Sequence, residues 1–106
     1  MDATIWHDPR CSKSRETLAI LRDASATVTV IEYLKDPPDR ATLVRLLAAA
    51  GFGARAALRK DAGPVADDTA ALDLMIRDPA MIERPLVETV KGVRLARPPE
   101  RVREIL

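Results

Sequence analysis

The chain has 106 residues, of which 47% are hydrophobic and 31% charged, with a formal net charge of +1; these totals describe a single soluble globular domain over residues 1–106. An aromatic content of 3% argues against base-stacking nucleic-acid modules, and the near-neutral charge argues against a polyanion or membrane-surface binder. No stretch approaches the roughly 18 apolar residues of a membrane helix, Asp2, His7, Asp8 and Arg10 come too early for a signal peptide, and one cysteine allows neither an internal disulfide nor a four-ligand zinc site, so a cytoplasmic protein with a reduced thiol is expected.

Residues 3–7 (Ala-Thr-Ile-Trp-His) form a short β-type run stopped by Asp8-Pro9. Ser12 or Ser14 is then placed to cap a helix running to about Asp23, with Leu18 and Leu21 on its inner face. Residues 27–33 are the richest β-branched run and read as a buried strand. The three pieces make a βαβ unit with parallel strands.

Beyond Asp36-Pro37-Pro38, Asp39 is a good N-cap. Leu43, Leu46, Leu47 and Ala50 recur at helical spacing, and Gly51 supplies the stop. Residues 53–80 are helical in pattern but broken, with a piece over 54–60, a loop over 61–67 and a helix from Asp68 or Thr69 that ends before Pro79. Residues 85–89 and 93–96 are strand-like and read as a hairpin, and Pro98-Pro99 opens a last helix with Val102, Ile105 and Leu106 on one face. This order predicts an α/β, thioredoxin-like domain: a mixed four-stranded sheet flanked by helices, with a helical insertion over about 53–80.

Cys11 follows a strand and starts a helix, where unpaired N–H groups and the positive end of the helix dipole favour a thiolate. Arg10, Lys13 and Arg15 add local positive charge. The competing reading is a small buried core cysteine, for which Pro-Arg-Cys-Ser-Lys-Ser is a poor segment. Cys11 and Ser14 have the spacing of a Cys-x-x-Cys redox motif with serine in the second place, although Ser14 also suits a helix cap. A dithiol resolves its own mixed disulfide, whereas this chain needs an external thiol such as glutathione. His7 has several readings: orienting Cys11, sharing its proton, binding substrate, or serving the structure alone.

Arg59, Arg84 and Arg97 each stand beside an element end, the last two before prolines, which restrict the preceding residue. Guanidinium groups pair bidentately with tetrahedral oxyanions, and solvated surface arginines are the other reading. Arg84-Pro85 at the start of a strand invites a cis peptide. One His and one Cys make metal binding improbable. Asp67, Asp68 and Glu83 read as caps and surface charges.

The run His7-Asp8-Pro9-Arg10-Cys11-Ser12-Lys13-Ser14-Arg15-Glu16-Thr17-Leu18 closely resembles the active-site loop of the glutaredoxin-linked arsenate reductases. Tyr33-Leu34 with Pro37-Pro38, Ala57-Leu58-Arg59-Lys60, Glu83-Arg84-Pro85-Leu86-Val87 and Arg94-Leu95-Ala96-Arg97-Pro98-Pro99 are similar to that family's later blocks, in order. The resemblance implies a thioredoxin-like fold and an arsenic-detoxifying oxidoreductase. Cys11 would attack arsenate to form a covalent adduct, glutathione would displace it, and glutaredoxin would reduce the product and release arsenite.

It further implies that His7 favours the Cys11 thiolate and that Arg59, Arg84 and Arg97 cradle the oxyanion; Ser14 and Arg15, by their own position, are expected to support the helix start. No bound cofactor is expected; glutathione acts as co-substrate, and the protein is expected to be a monomer. Three features depart from the pattern. Asp8 stands where the motif usually has asparagine, the segment between Lys60 and Leu72 is short, and the chain ends at Leu106, as in compact housekeeping members. Two other functions remain open: a general glutathione-linked thiol oxidoreductase, and an Spx-like transcriptional regulator that binds RNA polymerase. Ser14 removes the Cys-x-x-Cys switch such regulators usually carry.

Overall fold

The computed structural model describes residues 1–106 and contains four strands and three α-helices. Strand β1 (Asp2–His7) leads into α1 (Ser12–Asp23) and β2 (Thr27–Glu32). Helix α2 (Arg40–Ala50) starts at Asp39, whose carboxylate accepts the Thr42 N–H, and ends at Gly51, whose φ of 82° is the left-handed conformation glycine adopts without a Cβ clash. After two 3-10 turns, Arg55–Ala57 and Lys60–Ala62, α3 (Asp68–Arg77) is capped by Asp67 through the Ala70 N–H. Strands β3 (Leu86–Thr89) and β4 (Gly92–Leu95) form the hairpin, and the last helix is a 3-10 helix over Pro99–Ile105.

The sheet order is β2-β1-β3-β4, with β1 parallel to β2 and antiparallel to β3, and β3 antiparallel to β4. Alternation along the strands divides the core between the two faces. Ala3 and Ile5 of β1 and Val87 of β3 join Leu18 and Leu21 of α1 with Val102 and Ile105. Trp6 and Leu86 point the other way, into a cluster with Leu43, Leu46 and Leu47 of α2 and Ala71 and Met75 of α3. Truncating one of those buried leucines to alanine would cost about 2–5 kcal/mol. Thr89 ties the hairpin to the C-terminal turn by donating its hydroxyl to the Ile105 carbonyl at 2.6 Å. No helix is long and apolar enough to cross a membrane.

Two local expectations are corrected. Strand β2 is not a buried strand: it is an edge strand paired only with β1, and none of its residues is fully buried. Its β-branched residues serve sheet pairing more than the core. Neither Ser12 nor Ser14 caps α1; the N-cap is Cys11 itself, with extended backbone angles (φ −89°, ψ 122°). Ser14 is turned inward to other partners.

Candidate active site

Four chain segments meet around Cys11: the β1–α1 loop, the turn carrying Arg59, the residues before β3 carrying Glu83 and Arg84, and the segment after β4 carrying Arg97. Pairing of β1 with β3 and of β3 with β4 brings residues 8, 84 and 97 to the same end of the sheet. The peptide bonds Arg84-Pro85 and Arg97-Pro98 are both cis.

Cys11 is partly exposed, as a reacting thiol must be. Arg97 Nη1 lies 4.0 Å from its sulfur. Burial pushes the thiol pKa up, but the N–H groups of Ser14 and Lys13, the Arg97 guanidinium and the Arg84 charge outweigh it, and the net shift is downward. The two N–H groups are those the first turn of α1 leaves without helical partners. At ordinary hydrogen-bond distance the sulfur caps neither, so their effect is electrostatic attraction for a thiolate.

His7 does not hydrogen-bond Cys11. Its Nδ1 is 2.6 Å from Ser14 Oγ, and Ser14 Oγ also accepts the Asp8 N–H at 3.1 Å. Burial holds the His7 pKa below its ordinary 6.5, with Asp8 and Glu32 opposing and Arg22 and Arg15 assisting. A neutral imidazole paired with a buried hydroxyl fixes the loop that presents Cys11. Arg15 adds a second tie, donating Nη1 to the Pro9 carbonyl at 3.0 Å.

The three arginines converge unequally. Arg59 Nη1 and Arg97 Nη1 approach the same oxygen, Glu83 Oε1, at 3.2 and 3.6 Å. Both side chains are about one-third exposed (30% and 34%) and open to a ligand. Arg97 Nη1 also donates to the Arg84 carbonyl at 2.9 Å. Arg84 is more enclosed: Nη1 donates to the Ala80 and Ile82 carbonyls, and Nη2 is 3.2 Å from Asp8 Oδ2. Arg84 contributes charge and position more than a free donor face.

Glu83 is therefore not the plain surface charge expected of it; it gathers two arginines beside the thiol, because the antiparallel bridge between Leu58 and Ile82 lays its segment against the one carrying Arg59. Asp67 is a cap as read, and Asp68 accepts the Arg55 N–H at 2.9 Å. Tyr33, read only as strand and family block, is a further neighbour. Its buried hydroxyl has no partner among the protein's groups, and burial raises its pKa to about 12, with the charges of Arg84, Asp8, Cys11 and Arg59 all acting on it. Periodicity carries no signal for such a residue; only its position in the Tyr33-Leu34 block marks it. No group of three or more His, Cys, Asp or Glu side chains is arranged to hold a metal.

Sheet order, helix placement and a lone cysteine at the start of the first helix define a thioredoxin-like domain with a single thiol. The chain belongs to the ArsC family, which it matches over residues 6–105. It is 44% identical to an arsenate reductase of Rhizobium meliloti (strain 1021), over 100% of this chain and 82% of the relative. It is 42% identical to an arsenate reductase of Escherichia coli (strain K12), over 97% of this chain and 79% of the relative. A solved arsenate reductase from Vibrio cholerae shares the fold with a TM-score of 0.89 at 38% identity, covering 100% of this chain and 98% of that one.

Proposed function

We propose that this protein is an arsenate reductase in which Cys11 is the nucleophile and glutathione with glutaredoxin supplies the external reductant. The observation that carries this reading is the Cys11 sulfur, its pKa held down, 4.0 Å from Arg97, with Arg59 and Arg97 drawn to one point beside it. Membership of the ArsC family and full-length similarity to arsenate reductases support it.

The thiolate attacks arsenic, an S–As bond forms, and an arsenate oxygen leaves as water after taking up protons. Arg59 and Arg97 bind the remaining oxygens, and Arg84 adds its charge; a well-placed donor to developing negative charge contributes a few kcal/mol. Reducing As(V) to As(III) takes two electrons, supplied when two thiols become one disulfide. Ser14 stands where a second internal thiol would, so thiols from glutathione and glutaredoxin complete the cycle. They displace the adduct and release arsenite, regenerating the Cys11 thiol.

With glutathione, glutaredoxin and glutathione reductase present, arsenate should drive NADPH consumption by the purified protein. Turnover no greater than that of Cys11→Ser sinks the proposal. A second reading, a glutathione-linked thiol oxidoreductase with another substrate, is favoured by one observation: Asp8 and Glu83 already engage all three arginines. Reduction of a glutathionylated protein or small disulfide without arsenate turnover would select it.

A further inference from the structure

We propose that Asp8 tunes the charge preference of the Cys11 site, holding Arg84 and weighing more heavily against doubly charged oxyanions than against singly charged ones. This rests on the oxyanion-binding reading of the site and deepens it.

The charges around the thiol nearly cancel before any ligand arrives. Arg59, Arg84 and Arg97 supply three positive charges; Asp8, Glu83 and the Cys11 thiolate supply three negative ones. The two carboxylates are not equivalent. The Glu83 side chain is 21% exposed and contacts the two open arginines, so it is free to swing aside when an anion takes its place. The Asp8 side chain is 4% exposed and pinned at both oxygens: Oδ1 accepts the Arg10 N–H at 3.0 Å, and Oδ2 pairs with Arg84 at 3.2 Å. The other basic neighbour, Arg10, approaches Asp8 at 3.9 Å, but its side chain is 83% exposed and its charge is screened.

A buried, fixed carboxylate beside the cradle repels every incoming anion, and water screens it little. Coulomb repulsion scales with the ligand's charge, so the penalty on a dianion is twice that on a monoanion in free energy. With asparagine at this position, the site would carry one more net positive charge. Asp8 thus moves the site away from doubly charged tetrahedral oxyanions without touching the thiol.

The test is calorimetric titration of wild-type protein, Asp8→Asn and Asp8→Ser with sulfate and perchlorate, tetrahedral anions whose charges do not change near neutral pH. Because the two ligands differ twofold in charge, the expected tightening in Asp8→Asn is about tenfold for sulfate and about threefold for perchlorate. Asp8→Ser removes the same charge with different hydrogen bonding and should keep the same two-to-one ratio on a logarithmic scale. Binding that tightens equally for both anions, or not at all, overturns the role of Asp8 while leaving the oxyanion site standing. Failure of every protein to bind either anion removes the oxyanion reading and this inference with it.

Discussion

Ser14→Ala is expected to destabilise the protein by several times the cost of an ordinary surface substitution. Ser14 is fully buried, and its hydroxyl is the partner of two other buried groups, His7 Nδ1 at 2.6 Å and the Asp8 N–H at 3.1 Å. Leaving a buried polar group unpaired costs about 1–3 kcal/mol, so two such groups cost about 2–6 kcal/mol. The better helix propensity of alanine returns only about 0.5 kcal/mol. A domain of this size loses about 4 °C or more of melting temperature per kcal/mol, which places the variant roughly 6 °C or more below the wild type. Thermal and urea unfolding followed by circular dichroism measure this directly. Iodoacetamide alkylation of Cys11 provides a second readout, because the same hydroxyl holds the loop that presents the sulfur, and the rate should fall. A melting temperature within about 2 °C of the wild type would refute the claim that this hydroxyl organises the loop.

Other outcomes follow from the same geometry. His7 is held below its ordinary pKa of 6.5 by burial, so the unfolded chain takes up its proton first. Its stabilising contribution is present above pH 6.5 and is lost as pH falls through the lower folded value; denaturant midpoints between about pH 7 and 5 should therefore drop more in wild type than in His7→Asn. Arg97→Ala removes the guanidinium beside the Cys11 sulfur, so the thiol pKa rises, and the midpoint of the alkylation-rate profile should shift to higher pH. An unchanged midpoint would separate Arg97 from thiolate stabilisation. Tyr33→Phe deletes a buried hydroxyl with no protein partner, so stability should hold or increase. A loss above about 1 kcal/mol would show that the hydroxyl makes a bond that counts.

How much of this was legible beforehand varied with the range of the physics involved. Helix α2 was readable from end to end, because an Asp39 cap, leucines at helical spacing and a Gly51 stop are all local signals. The position of Cys11 at a helix start was equally local. Strand β2 has the composition of a buried strand yet lies at the sheet edge, because β-branched content reports pairing and says nothing of whether a strand lies at the centre or the edge of its sheet. Ser14 was open to a capping role for a similar reason: serine at a helix start usually caps, and nothing nearby in the chain announces a partner seven residues back on β1.

By itself, the amino-acid sequence determined the βαβ-helices-ββα order, the single cysteine at the start of α1 and the absence of a second thiol at Ser14, since each depends on residues adjacent in the chain. It also flagged Asp8 and the three arginines as individuals. Only the tertiary structure decided their relationships. Sheet pairing across some 76 residues set Arg84 against Asp8, and the return of the hairpin laid Arg97 against Cys11. Glu83 became the meeting point of two arginines for the same reason. Long-range electrostatics depends on distances through space, and those are created by packing rather than by spacing along the chain.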